Sequence, residues 1–292
     1  MKNKRTKILI TGYAGFIGGY LTKLLENDYN LFGYDLVDNY DIRDKFKLDR
    51  LFDKERFDVV IHLAARAGVR TGEEFPDEFI STNINGTKNI IEACEKYGVK
   101  QLISFSSSSV LGGNKKGGSG KGVALKESDN YNPKSLYAIT KVMGEMMIKN
   151  SSLNYTIIRP FTVYGENGRK DMVIYKWIEQ IKREEPITVF GSGKSKRGYT
   201  YVKDLVDGVK RCILNKKAYK EIIHLGGSEI ISLKDMLKIF SDNREIEMIK
   251  TEMPKADVME SWTKSDKAKK LLGWEPKANF EKYLTNILTK EL

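Results

Sequence analysis

Tyr137 and Lys141 stand four residues apart in SLYAITK. On a helix that spacing puts both side chains on one face. A free phenol titrates near 10, too high for a base at neutral pH. A neighbouring ammonium favours the phenolate, and the pair then forms a general base for a hydroxyl group. Upstream, FSSSSVLGG (105–113) places four serines in a row. Runs of Ser and Gly usually mark loops. These, however, close the strand-like run KQLISFSS (100–107), just before the Tyr/Lys helix. The carboxyl edge of an open α/β sheet is where ligands bind. A serine there can hydrogen-bond the oxygen that Tyr137 deprotonates, so the segment reads as active-site wall rather than linker.

A second constellation lies near the N-terminus. TGYAGFIG carries Gly12, Gly15 and Gly18 between the apolar run KILIT and the helical spacing of FIGGYLTKLLEN. Glycines at such a junction permit a tight turn and close backbone approach, and the helix start offers free N–H groups to a pyrophosphate. Asp35 ends the next strand-like run, NLFGYD. A carboxylate there accepts from both ribose hydroxyls and repels a 2′-phosphate, which favours NAD over NADP. Asp41 and Ile42 are placed to flank the adenine. A nicotinamide ring would bring a second positive charge to Tyr137, and Lys141 can hold its ribose.

The elements that must position these groups alternate. Strand-like runs at 7–11, 30–35, 58–65, 100–107 and 155–165 are separated by helical spacing at 16–27, 83–97 and 135–150. Alternation of this kind implies right-handed βαβ units and a doubly wound parallel sheet. The second half is less regular, with helices expected at 172–185, 202–215, from about Ser232 and near 279–290, and strands at 186–191 and 221–227. We therefore expect a Rossmann-type dinucleotide-binding domain over 1–165, with a return near 198–225. A smaller α/β substrate lobe, interleaved with it, is expected mainly over 166–292. GGNKKGGSGKG (112–122) reads as a mobile loop.

Composition sets outer limits. The chain has 292 residues, 40% hydrophobic and 30% charged, as in an ordinary globular protein. No run of about 18 apolar residues appears, so no membrane span is expected, and the first apolar stretch is too short for a signal peptide. Cys94 and Cys212 lie far apart, which argues against a disulfide framework and suits a reducing cytoplasm. His62 and His224 show no metal-ligand spacing. The net charge of +11 suits an anionic small molecule such as a nucleotide diphosphate. The lysines form no single stripe and no nucleic-acid motif appears, so nucleic-acid binding is not the expected role.

Taken together, the three glycines, Asp35, HLAARAGVR (62–70), Asn83 in NINGT, the serines and Tyr137/Lys141 resemble the extended short-chain dehydrogenase/reductase family. Within it they are similar to the NAD-dependent nucleotide-sugar epimerases. RPFTVYGENGRKDM (159–172), RGYTYVKDLVDGV (197–209) and KAKKLLGWEP (267–276) extend the resemblance over nearly the whole chain. AGVR, SLYAITK and FTVYGxxGRxDM make it strongest to the UDP-glucuronate 4-epimerases.

The resemblance implies Ser107, Tyr137 and Lys141 as the catalytic set. It implies that Phe16, Ile17, Leu63, Ala64, Ala65, Asn83 and Pro160 join the glycines and Asp35 around NAD. Ser106, Ser108, Thr162 and Arg169 are implied to hold a sugar carboxylate, and Arg197 the diphosphate of a UDP-sugar. A homodimer built on the helices at 83–97 and 135–150 is also implied. The activity implied is 4-epimerisation through a transient 4-keto sugar. Related dehydratases and decarboxylases carry a carboxylate at the serine wall, which Ser107-Ser108-Ser109 lacks.

Other readings stay open: a UDP-glucose or UDP-N-acetylhexosamine 4-epimerase, a 4-oxidoreductase releasing a keto sugar, or a non-catalytic RNA-binding relative. Departures from the family pattern are Leu111 for the usual Tyr, Arg66 for Gln, Lys170 for Pro, and the long 112–122 insertion. All are expected to line or approach the sugar side.

Overall fold

The computed structural model describes residues 5–114, 122–227, 229–242, 245–254 and 256–292. Most of the glycine- and lysine-rich insertion, residues 115–121, lies outside the described residues. Strand β1 (Lys7–Thr11) buries Ile8 and Ile10 in one apolar cluster and Leu9 in another, the two-sided alternation of a central strand. Then come α1 (Phe16–Leu25), β2 (Asn30–Tyr34), α2 (Lys45–Glu55) and β3 (Val59–His62). Short helices α3 (Val69–Glu74) and α4 (Pro76–Phe79) run into a π-helical stretch at Ile80–Gly86, which continues as α5 (Thr87–Lys96). Next are β4 (Gln101–Phe105), α6 (Leu136–Lys149), β5 (Tyr155–Pro160), β6 (Thr162–Tyr164), α7 (Val173–Lys182) and β7 (Ile187–Phe190). The chain ends with β8 (Lys196–Tyr201), α8 (Val202–Cys212), β9 (Glu221–Leu225), β10 (Glu229–Ser232), α9 (Leu233–Ser241), β11 (Met248–Thr251), β12 (Glu260–Ser261), α10 (Asp266–Leu272) and α11 (Phe280–Glu291).

Six strands form one parallel sheet in the order β2-β1-β3-β4-β5-β9. Leu21 and Leu25 of α1 and Leu205 and Val209 of α8 cover one face. Leu48 and Phe52 of α2, Ile90 and Cys94 of α5, and Ile148 of α6 cover the other. This is the doubly wound Rossmann-like arrangement. The chain leaves β1 for β2, then crosses back to β3, so the order reverses between β1 and β3. That switch point opens a crevice at the carboxyl ends of the strands. Residues 35–44 alone join β2 to α2, too few for a further crossover helix, and β2 is the sheet edge.

A second sheet has the order β10-β8-β12, with β6 beside β8, and β7 pairs with β11. Ile174 and Trp177 of α7, Phe240 of α9 and Phe280 and Leu284 of α11 form its apolar cluster. The single strand expected over 155–165 is two strands, because Phe161, buried to 2% exposure, carries the chain from one sheet into the other. The helix expected over 83–97 begins as a π-helical stretch, a wider turn often found at functional sites. Helix α2 has only Leu48 and Phe52 buried among mostly charged neighbours, so its sequence carries little apolar period.

Candidate active site

A cleft of about 720 Å³ opens at the carboxyl ends of β1, β3, β4 and β5 and is closed on its far side by the second sheet. The phosphate-loop end is built by backbone. Gly12 has φ +73°, and a Cβ there would lie 2.7 Å from the Ala64 nitrogen. A Cβ on Gly18 would lie 2.1 Å from the Gly12 carbonyl oxygen. Gly15 caps α1 without any side-chain hydrogen bond, so first-turn N–H groups are left for solvent or an anion. Gly12, Gly15, Phe16, Ile17, Gly18, Leu63 and Ala65 all line the cleft here. The Ala64 N–H donates to the Thr11 carbonyl (3.1 Å), which holds the turn after β3 against the glycine loop. The glycines let the loop pack closely on its own backbone, and the uncapped start of α1 beside them lines the cleft with N–H groups that fit a pyrophosphate.

Asp35 sits at the loop's outer edge, accepting from the Ala14 N–H at 3.1 Å. Asp41 and Ile42, expected beside an adenine, do not line the cleft. The Asp41 carboxylate is taken by the Arg43 guanidinium (2.6–3.0 Å), which holds its carboxyl below the usual range. Ile42 is buried with its side chain where a Cβ on Gly86 would go. Asn83 is buried beneath the cleft. Its side chain accepts the Arg66 N–H (2.8 Å) and donates to the Arg66 carbonyl and the Thr140 hydroxyl (3.0 Å each). It therefore ties the turn after β3 to α6 rather than facing the cavity.

Tyr137 and Lys141 project from α6, which Ser135 caps by accepting the Ala138 N–H at 3.2 Å. Both line the cleft, with Pro160 beside them. The Lys141 Nζ donates to the Phe105 carbonyl (2.8 Å) and stands 6.0 Å from the centre of the Tyr137 ring. Burial pushes the Lys141 ammonium down to about 8, against the Glu145 carboxylate. Burial also pushes the Tyr137 phenol up, opposed by hydrogen bonding from Ser107 and by the positive charge of Arg169. One Lys141 N–H is engaged by the strand carbonyl, and the positive charge that opposes burial of the phenol here is that of Arg169.

The serine wall divides. Ser106, Ser107 and Ser108 all line the cleft. The Ser106 hydroxyl, expected to meet a sugar carboxylate, donates instead to Glu145. Ser107 accepts from the Ser109 N–H (3.2 Å) and shares a hydroxyl contact with Ser109 (2.9 Å) while facing Tyr137. Across from it are Thr162 on β6 and Arg169, whose guanidinium holds Asp171 bidentately (3.0 and 2.5 Å). Arg197 on β8 lines the far end, where burial pushes its guanidinium down.

Three of the unusual residues do not line the cleft. Leu111 is buried with Val110, Leu125 and Phe161, the Arg66 side chain pairs with Glu78 at 2.7 Å, and Lys170 is exposed. Asp171, Trp177, Thr188, Phe190, Tyr199 and Asp257 line the cleft unannounced by the sequence. Asp171 and Tyr199 lie within the family motifs but without an assigned role; Thr188 and Phe190 come from β7, Trp177 from α7 and Asp257 from the segment after β11. His62 is buried between the Thr11 (2.7 Å) and Thr87 (3.0 Å) hydroxyls. Among the described residues no cluster is arranged to hold a metal ion, and no helix is long and apolar enough to cross a membrane.

Known proteins share this arrangement. The chain is 35% identical to the UDP-glucuronate 4-epimerase of Thermodesulfobacterium geofontis, over 94% of this chain and 93% of that one. It superposes on the UDP-glucuronic acid 4-epimerase of Bacillus cereus, solved with UDP-glucuronic acid and NAD, with TM-score 0.87, 28% identity and coverage of 98% and 99%. It superposes equally on the UDP-glucose 4-epimerase of Thermotoga maritima, solved with UDP-glucose, with TM-score 0.88, 28% identity and the same coverage. The family model described as "NAD dependent epimerase/dehydratase family" matches residues 8–226, from the first strand of the glycine cradle to the last strand of the six-stranded sheet. With cradle, Tyr/Lys pair and serine wall in one crevice, the chain belongs to that family.

Proposed function

We propose that this protein interconverts the C4 epimers of a UDP-sugar, with UDP-glucuronate and UDP-galacturonate as the pair, using retained NAD. The observation that carries the reading is one cleft that joins the α1 cradle, the Ser107–Tyr137–Lys141 set and Arg169. In this reading residues 1–165, with the return at 198–225, hold the dinucleotide, and 166–292 mainly hold the sugar nucleotide. When bound, NAD would supply reversible hydride acceptance from C4 of the sugar. Tyr137 takes the 4-hydroxyl proton, and Ser107 hydrogen-bonds the same oxygen. Lys141 uses one N–H on the Phe105 carbonyl and keeps two for the nicotinamide ribose. First-turn N–H groups of α1 hold the pyrophosphate, and Asp35 the adenosine ribose.

A uronate adds one demand, because a 4-keto uronic acid can lose CO₂. Arg169, a planar fork suited to a carboxylate, exchanges Asp171 for the sugar's carboxylate, with Ser108 and Thr162 as further donors. Arg197 meets the diphosphate. Ser107-Ser108-Ser109 place no carboxylic acid beside the leaving positions, which favours epimerisation over loss of water. We further propose a cytoplasmic homodimer. Cys94 and Cys212 are free thiols, and α6 leaves Ile139, Met143 and Met146 exposed along one stripe that a second α6 would cover. Solution mass tests the dimer.

Proton NMR of the anomeric region tests the activity. UDP-glucuronate is expected to convert to UDP-galacturonate with no added reductant. Failure to interconvert any C4 pair of UDP-sugars overturns the reading, and stoichiometric NADH release would assign an oxidoreductase instead.

A further inference from the structure

Beneath the serine wall lies an ion pair with both side chains at 1% exposure, Arg159 on β5 and Glu145 on α6. Glu145 accepts from Arg159 Nε (2.8 Å) and Nη2 (2.7 Å), from the Tyr131 hydroxyl (2.8 Å), and from Ser106. Four donors match the acceptor capacity of an ionised carboxylate. Glu145 also lies one helical turn beyond Lys141 and two beyond Tyr137, on one face of α6. The end of β4 is thereby gripped at consecutive residues: Lys141 holds the Phe105 carbonyl, and Glu145 holds the Ser106 hydroxyl. A buried ion pair is weak support for stability, since apolar replacements of similar volume often serve the fold as well.

We propose that Glu145 is a positioning residue for the epimerisation inferred above: braced by Arg159, its carboxylate pins Ser106 so that Ser107 faces Tyr137, and it stands one helical turn from Lys141 on the same face of α6. The proposal rests on that functional reading. The groups facing Lys141 are Tyr137 and Glu145 on α6, His62 on β3 and the Phe105 carbonyl on β4. Those around Glu145 are Arg159, Tyr131 and Ser106, with His224 on β9 facing Arg159. Burial pushes both histidines down to about 3, so both are neutral at working pH. Glu127 is the other carboxylate near this set, accepting the His224 backbone N–H at 3.0 Å while its carbonyl accepts from Arg159 Nη1 at 3.3 Å. Glu145 is the carboxylate paired with Arg159. It opposes the burial that would strip the proton from Lys141.

The test uses the full-length enzyme loaded with NAD. Glu145→Gln is expected to lower kcat roughly 10- to 100-fold with KM little changed, and to move the alkaline fall of kcat down by about one pH unit. Because that variant strands Arg159, the double variant Glu145→Met/Arg159→Met removes both charges together, and Ser106→Ala cuts only the wall contact. The double variant is expected to melt as one cooperative unit and to show the same alkaline shift. Ser106→Ala is expected to lose kcat with the alkaline limb unmoved. The pH dependence of NAD affinity, measured without sugar, is expected to shift with the charge at 145. If wild type turns over no UDP-sugar, the functional reading fails, while the NAD titration still reports on Glu145. A folded variant without the 145 carboxylate whose kcat, alkaline limb and NAD titration match wild type overturns the proposal, as does wild-type kcat in Ser106→Ala.

Discussion

The glycine loop after β1 and the serine segment after β4 leave the same edge of the same sheet, with β3 between them, yet they are held by different means. Backbone holds the first. The Gly12 N–H donates to the Tyr34 carbonyl (2.9 Å), the Gly15 N–H to the Gly12 carbonyl (3.2 Å), and neither Gly12 nor Gly18 leaves room for a Cβ. Side chains from far along the chain hold the second, through Lys141 on Phe105 and Glu145 on Ser106. A loop set by backbone depends on residue type at a few close positions. A loop set by side chains depends on partners that only the fold brings near, and its hydroxyls cannot be assigned until those partners are known.

The contrast can be broken from either side. Tyr137→Phe should have the largest effect, a fall in turnover of roughly 10²- to 10⁴-fold with NAD still bound, read by kinetics and by cofactor absorbance after desalting. Near-native turnover would remove Tyr137 as the base. Gly18→Ala acts at the other loop, where the new Cβ meets backbone at 2.1 Å. It should destabilise by about 1–3 kcal/mol and weaken NAD binding, measured by urea unfolding and calorimetry. Unchanged NAD affinity would mean the cradle does not set the cofactor's approach. Arg169→Met should raise KM for UDP-glucuronate by roughly tenfold or more, in line with a lost charge-assisted hydrogen bond, and change UDP-glucose turnover less. Equal effects on both sugars would move Arg169 away from the carboxylate.

The most gradual effect, spread over several pH units, is a pH dependence of stability from the sheet that carries both loops. Burial holds His62 neutral, its imidazole pushed down to about 3. Between about 6.5 and 3 the unfolded chain takes up a proton at this site that the folded chain refuses. Stability therefore falls as the solution is acidified through that window, at about 1.4 kcal/mol per pH unit at most for one site. The urea midpoint of wild type should drop more steeply below pH 6.5 than that of His62→Gln. Parallel curves would show that His62 accepts its proton while folded.

The sequence announced β1, α1 and the parallel alternation because apolar runs and the glycine spacing are local signals. Tyr137 and Lys141 were equally legible, since four residues on a helix fix a shared face. The Ser106 contact was not, because its partner lies 39 residues away on another element. Nor was the split at Phe161, where one apolar run serves two sheets. Leu111 looked like a change in the sugar site and is a core residue. The far end of the cleft draws Thr188, Tyr199 and Asp257 from separate stretches, and no spacing in the chain joins them.

In the proposed epimerisation a hydride leaves C4 and comes back to the same carbon. UDP-glucuronate carrying deuterium at C4, given to the NAD-loaded enzyme in ordinary water, should yield UDP-galacturonate with the deuterium still on C4 by NMR. Product formed with that label replaced by solvent hydrogen would contradict it.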